Sequence, residues 1–338
     1  MADGKRILLG HGSGGKLYRD LVRDVFVTEF ANPVLERLDD AACLATPSSR
    51  IAFTTDAHVV QPLVFPGGDI GTLAVAGTVN DLATAAARPL ALSAAFIIEE
   101  GFLVDDLVAI CRSMARTCER AGVAIVTGDT KVVQRGACDG LYITTAGIGE
   151  VMIAHDLGPE MVQEGDAVLL SGTIGDHALA VLAARAEFHF TVDLQSDCAP
   201  LWGLVAAAVD SCGDGLRFLR DPTRGGLATV LAELAEGAAL GIDIEEEQVP
   251  VSPAVRSVCD LLGYEPFALA NEGKMVVVVA PECADAVLKA LRGHPLGAHA
   301  AQIGRITGSH PGRVALRTIF GTRRVLDMPV GELLPRIC

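Results

Sequence analysis

Charged and apolar residues alternate at helical spacing from Leu17 to Phe30, and Asn32 and Pro33 stop the run, which predicts a short helix. Two strand-like runs follow, Ala41 to Thr46 and Ile51 to Val60, separated by Pro47, Ser48, Ser49 and Arg50. They predict an antiparallel hairpin. Next come an Ala-rich helix from Asp69 to Ala87, a strand from Leu90 to Glu99, a helix from Asp105 to Ala121, and strands from Val123 to Val133 and Leu141 to Val151. The turn-rich stretch Gly158 to Asp166 then precedes a new strand, AVLLSG, so the first domain is expected to cover 1–154. The second, 155–325, mixes predicted helices (Ala178 to Ala186, Ala199 to Ser211, Gly225 to Ala238, Glu282 to Arg292) with strands (Gly241 to Glu245, Lys274 to Ala280, Ala301 to Ile306, Val314 to Thr318). Residues 326–338 carry two prolines and little periodicity and read as a mobile tail, spanning roughly 40 Å if fully extended.

Composition narrows this to α/β or α+β layering. Half of the 338 residues are hydrophobic but only 4% are aromatic, so Ala, Val, Leu and Ile must fill two cores of ordinary size. The best candidate for a membrane span, Gly71 to Ile98, is interrupted by Asp81 and Arg88, and the N-terminus lacks a signal-like apolar stretch. A cytoplasmic protein is expected. Nine cysteines without a CxxC pair, several of them (Cys111, Cys118, Cys212) in apolar helical patterns, predict free thiols with neither disulfides nor zinc. A net charge of −15 without a basic stripe argues against nucleic acid, yet is compatible with a nucleotide held by backbone donors and a divalent cation.

The opening GHGSGGK contains GxGxxG (Gly10, Gly12, Gly15) and most of a GxxxxGK[ST] pattern. Neither standard reading holds, because Leu17 stands where a hydroxyl is needed and a hairpin follows instead of a parallel βαβ unit. What remains is a run of small residues whose N–H groups can approach phosphate closely: His11, Gly12, Ser13, Gly14 and Gly15, with Lys16. In the predicted hairpin Asp39, Asp40 and Asp56 gather at one end, where a cation or a basic side chain must relieve their repulsion. Asn80 and Asp81 are polar residues on an otherwise apolar helix, suited either to a buried hydrogen-bond pair or to a metal or nucleotide contact. GDTK puts Asp129 and Lys131 at a strand end, a pairing suited to phosphate chemistry. DPTRGGL leads into a helix whose N–H groups and Arg224 can meet an anion, or which Asp221 or Thr223 simply caps. Glu272, in NEGK, is a candidate base, and the terminal Cys338 is a thiol unsuited to a core.

Taken together, HGSGGK, DDAA, FTTDAHVV, FPGGDIGTLAVAGTVNDLA, GDTKVV, LLSGTIGDHALAVL, RDPTRGGLA, NEGK and the final LPRIC resemble the HypE family of hydrogenase maturation proteins, in the PurM-like (AIR synthase-related) superfamily. The resemblance implies a two-domain PurM-like fold whose N-terminal domains pair into a barrel in a homodimer. It implies that ATP and Mg2+ are handled by the His11 to Lys16 loop and the carboxylates Asp39, Asp40, Asp56, Asp81 and Asp129, to which the motif reading adds Asn80, Asp81 and Arg224 as nucleotide contacts. It also implies that a carbamoyl group loaded onto Cys338 by a HypF-type transferase is dehydrated to a thiocyanate, with Lys131 and Glu272 assisting, and that cyanide is delivered to a HypC and HypD iron scaffold. Two departures are Ala178, where the family usually has Gly after IGDH, and Ala87, where Gly-Ala is commoner before Arg88. A nucleotide-controlled binding protein and a synthetase acting on a free small amide are the competing functions.

Overall fold

The computed structural model describes residues 6–8, 21–32, 50–185, 193–329 and 337. Residues 21–29 are helical, with the wider π-type turn over Val22–Val27. The first domain follows as β1 (Ile51–His58), the short β2 (Val64–Phe65) and β3 (Gly68–Asp69), α1 (Ile70–Thr84), β4 (Ala87–Glu99), α2 (Val104–Ala121), β5 (Ile125–Val133) and β6 (Leu141–Val151). Its four-stranded sheet has the order β1-β6-β4-β5; only β4 and β5 run parallel, joined by the crossover helix α2. The strand β1 is antiparallel to β6, whereas the hairpin partner expected for it, Ala41 to Thr46, lies outside the described residues.

Helix α1 begins where the Asp69 side chain accepts the Thr72 N–H at 2.8 Å, and it is buried nearly all round. That explains its Ala-rich sequence and weak amphipathicity: the sheet covers one side, α2 another, and the second domain a third. Its buried polar residues therefore face protein, never bulk water.

The second domain comprises β7 (Ala167–Leu170), α3 (Asp176–Ala183), α4 (Trp202–Cys212), β8 (Leu216–Arg220), α5 (Gly226–Ala238), β9 (Gly241–Glu245), α6 (Pro253–Leu262), β10 (Val276–Val279), α7 (Ala284–Gly293), β11 (Ala301–Thr307), β12 (Val314–Arg317) and β13 (Arg323–Val325). Seven strands form one sheet in the order β13-β12-β9-β11-β7-β10-β8. The unbroken Val run of β10 is buried because the sheet is covered on both faces, by α5 on one and by α4 and α7 on the other. Helix α6 was not anticipated, although it carries clear signals: Ser252 Oγ accepts the Val255 N–H at 3.3 Å, Pro253 opens the helix, and Gly263 ends it. The Arg-containing β8 and β13 also escape a reading based on apolar alternation.

Two expectations are corrected. Cys212 and Cys283 are disulfide-bonded, with Cα atoms 5.9 Å apart. They come together only because the end of α4 meets the turn before α7, and their sequence separation of 71 hides this from local inspection. Leu326, expected to open a mobile tail, is 3% exposed and its N–H donates to Val314 O at 2.9 Å. At the far end of that segment Ile337 is buried as well. Among the described residues no helix is long and apolar enough to cross a membrane.

Candidate active site between the two domains

Where α1 and β1 meet the β8–α5 turn, a cavity of about 130 Å³ is lined by Asp56, His58, Asp81, Asp221, Arg224 and Glu272, among others. It adjoins a wider cleft of about 600 Å³ that shares Asp81, Asp221, Thr223 and Arg224 and adds Thr54, Arg220 and Glu233. Both domains contribute to each.

Each wall has an identifiable local cause. Period-two alternation along β1 turns Asp56 and His58 toward α1, where Gly77 leaves room for them; a Cβ at Gly77 would lie 3.0 Å from His58 Cε1 and 3.1 Å from Asp56 Oδ2. His58 Nε2 is 3.5 Å from Asp56 Oδ2, and burial lowers the imidazole's proton affinity against the attraction of Asp56. One turn beyond Gly77, Asp81 Oδ2 accepts the Thr54 hydroxyl at 2.8 Å. Burial raises the Asp81 pKa, a shift that the Thr54 hydrogen bond opposes and the charge of Asp56 adds to.

From the second domain, β8 runs out at Arg220 and the chain turns through Asp221 and Pro222 to α5. Gly226 sits at φ +62°, and a Cβ there would be 2.5 Å from Leu269 O, so only glycine permits this approach. Neither Asp221 nor Thr223 caps α5, which has no side-chain cap. Asp221 is 7% exposed and its carboxyl is pushed up to about 7, by burial first and then by Asp81. Arg224 is exposed and makes no ion pair among the described residues, leaving its guanidinium available to an anion.

Glu272 is held by its own backbone. Its N–H donates to Asp197 Oδ1 at 3.0 Å, and its carbonyl accepts Asn80 Nδ2 at 3.0 Å. The adjacent Asn271 is saturated, taking Gly175 N–H at 2.7 Å and donating to Pro222 O at 3.0 Å and Leu269 O at 2.9 Å. This clamp sets NEGK against DPTRGG. The Glu272 side chain is 3% exposed, and its Oε1 has no hydrogen-bond partner among the described residues. Burial, followed by Asp221, Asp197 and Asp56, raises its pKa well above the usual carboxylate value. A buried ion pair, Lys274 Nζ to Asp197 Oδ2 at 3.1 Å, lies behind it.

The arrangement gathers carboxyl groups around a small space beside Arg224, whose guanidinium makes no ion pair among the described residues. Oxygen donors of this kind suit Mg2+, which characteristically takes one or two carboxylates and completes its shell with water and phosphate oxygens. Among the described residues no three acidic, His or Cys side chains converge as a protein-only metal cage. Asp56 and Asp81 fit the sharing role, while Arg224 and the uncapped start of α5 fit phosphate.

Several expected site residues fall elsewhere. His11 to Lys16, Asp39, Asp40 and Cys338 lie outside the described residues. Asn80, expected at a nucleotide, is instead spent on the protein: besides Glu272 O, its Nδ2 donates to Ala199 O at 3.2 Å, and its Oδ1 accepts Leu201 N–H at 2.8 Å. Asp129, expected with Asp56 and Asp81, does not join them within one chain. It and Lys131, 3.5 Å apart, are exposed on β5, at the sheet edge opposite β1. Their β4 partners, Ala95 and the half-exposed Ile97, place them on the face turned away from α1. Three strand spacings, about 14 Å, separate the two edges. Conversely, no local sequence pattern marks His58, Asp197 or Lys274 as site residues, and by sequence alone Asp221 is only a possible cap. The one local signal for Asp221 was a carboxylate immediately before a proline and two glycines.

Comparison with known proteins places this geometry. Residues 38–151 match the model of the AIR synthase related protein N-terminal domain, and 163–317 that of the C-terminal domain. The "Carbamoyl dehydratase HypE" of Rhodobacter capsulatus is 51% identical over 337 residues, covering 99% of this chain and 98% of that protein. A crystal structure of hydrogenase maturation protein HypE in complex with ATP superposes with a TM-score of 0.94 at 46% identity, covering 98% of this chain and 99% of that one. A HypE–HypF complex gives a TM-score of 0.80 at 46% identity, covering 91% and 99%.

Proposed function

Since this chain belongs to the HypE family of AIR synthase related proteins, we propose that it is an ATP-dependent carbamoyl dehydratase acting on its own C-terminal Cys338. The observation that carries the mechanism is Glu272: a buried carboxylate of raised pKa, with an unpartnered oxygen, lining a cavity shared by both domains. Such a group accepts protons from a substrate more readily than an exposed carboxylate does.

A carbamoyl group on the Cys338 sulfur holds its oxygen as a poor leaving group. ATP, as cosubstrate, transfers its terminal phosphoryl group to that oxygen and leaves as ADP. The nitrogen gives up both protons, the C–O bond breaks with phosphate departing, and S–C≡N remains. Glu272 takes one nitrogen proton and the departing phosphate takes the other, Arg224 holds phosphate, and Asp56 and Asp81 would hold Mg2+, which would neutralise charge on the nucleotide phosphates. The loop His11 to Lys16 and the pair Asp39 and Asp40, which lie outside the described residues, are assigned to the same nucleotide and metal from their sequence pattern and the resemblance.

The exposed apolar side chains Ile51 (46%), Phe53 (71%) and Ile97 (39%) on the first sheet favour a homodimer through that sheet. In such a pair, Lys131 and Asp129 of one copy can approach the cavity of the other, resolving their separation within a chain. The proposed partners are a HypF-type carbamoyltransferase, by analogy with the HypE–HypF complex, and a HypC and HypD iron scaffold receiving cyanide for the Fe(CN)2CO centre. The cytoplasm is the proposed compartment.

Intact-protein mass spectrometry tests the reading. Carbamoyl-loaded protein given Mg-ATP is expected to lose the mass of one water, and Cys338→Ala protein to take up no carbamoyl group at that position. Loading without an ATP-dependent loss would rule out the dehydratase and favour a nucleotide-controlled binding protein.

A further inference from the structure

Outside the cavity, the buried polar group that the proposed chemistry leaves unused is His177, in the first turn of α3. It is 0% exposed, and Phe65 packs nearly perpendicular to its ring at 5.5 Å between centroids. Its Nε2 lies 2.9 Å from the carbonyl oxygen of Ile337, and its Nδ1 lies 2.8 Å from Ser196 Oγ. The imidazole therefore bridges the residue preceding Cys338 and a segment, 193–200, that passes between the domains.

The carbonyl partner assigns one proton of this bridge. A carbonyl oxygen only accepts, so Nε2 carries the hydrogen donated to Ile337. Burial lowers the ring's affinity for a second proton against the attraction of Asp197, and Nδ1 faces the Ser196 hydroxyl, which it can accept. Ser196 Oγ in turn accepts the Cys198 N–H at 3.1 Å, and Ser196 N–H donates to Pro66 O of the first domain at 2.8 Å. The next residue, Asp197, holds the Glu272 N–H and pairs with Lys274. A continuous set of contacts thus runs from Ile337 through His177, Ser196 and Asp197 to the proposed base.

We infer that His177 is a positioning residue for the reaction: its Nε2–H latches the main chain at Ile337 and so seats the reactive end of the chain relative to Glu272. Withdrawal of the chain end from this seat leaves a buried imidazole N–H without a partner, which favours the seated state. The inference rests on Cys338 being the carrier, but the latch itself is a statement about where the chain end sits.

The experiment uses the full-length chain with His177→Ala, His177→Gln and Ser196→Ala, each checked by near-ultraviolet circular dichroism. The first readout is the alkylation rate of Cys338 by iodoacetamide without ATP, followed by peptide mass spectrometry. The second is single-turnover dehydration of carbamoyl-loaded protein. In His177→Ala, alkylation is expected to quicken about tenfold and dehydration to slow about tenfold, the shift that losing one neutral hydrogen bond produces. Glutamine keeps an N–H donor at the end of its side chain and is expected to restore most of both. Should His177→Ala not fold, Ser196→Ala, which removes the group orienting the ring, is expected to shift both readouts in the same directions by a smaller factor. Wild-type alkylation rates in the folded variants would overturn the latch. Faster alkylation with unchanged dehydration would overturn the positioning role. If wild-type protein itself fails to dehydrate, the proposed function falls while the alkylation result still decides the latch.

Discussion

Asn80→Ala separates a domain clamp from a nucleotide ligand. The side chain makes three hydrogen bonds, Nδ2 to Ala199 O and Glu272 O and Leu201 N–H to Oδ1, all at 1% exposure. Truncation orphans Leu201 N–H and leaves Ala199 O without this donor, while Glu272 O retains only Ala199 N–H at 3.4 Å. An orphaned buried group costs about 1–3 kcal/mol, and a water entering the vacated space recovers part of it. The ligand-free protein is therefore expected to lose about 2–4 kcal/mol. Asn80→Leu, which fills the volume but supplies no polar atom, is expected to lose a similar amount. Urea unfolding of ligand-free wild type and both variants measures the loss, and isothermal calorimetry with Mg-ATP measures nucleotide affinity. Variants with wild-type stability but weakened ATP binding would refute the clamp and return Asn80 to the nucleotide.

Glu272→Gln is expected to retain ATP binding while single-turnover dehydration falls about 10²- to 10⁴-fold, the usual contribution of a general base; an unchanged rate removes Glu272 from that role. Lys131→Ala is expected to slow dehydration without preventing carbamoyl loading, and a normal single-turnover rate would show that no essential charge sits there. Because the Asp221 carboxyl is raised in the fold to about 7, its stabilisation is complete below the ordinary carboxylate value and is lost as pH rises through about 7. Thermal unfolding of ligand-free protein should accordingly fall in midpoint across that window, and Asp221→Asn should flatten the slope; parallel slopes would sink the assignment. Gly77→Ala, whose Cβ meets His58 at 3.0 Å and Asp56 at 3.1 Å, is expected to cost about 1–3 kcal/mol in urea unfolding, with weaker Mg-ATP binding by calorimetry.

The sequence by itself determined the alternation of helices and strands, because apolar period and turn chemistry are local: the strand Leu141–Val151 and the strand Gly241–Glu245 appear where the pattern put them. Its motifs also sufficed to indicate the family, since DPTRGGL, NEGK and GDTK are recognisable without coordinates. What the motifs could not indicate was which of them meet. Asp221 and Glu272 stand 51 positions apart and share a cavity because Asn271 ties their two turns together. Asp129 and Asp56, both acidic residues in strands of the same sheet, are separated because strand order sends β5 and β1 to opposite edges and the pleat turns their side chains to opposite faces. Asn80 could equally have been a ligand or a clamp until the backbone of Ala199 and Glu272 was placed beside it. Cys212 and Cys283 illustrate the same limit. Local pattern sets the conformation and face of each residue, whereas proximity across a domain junction depends on sheet order, register and docking, which arise only when distant segments bury their apolar faces together.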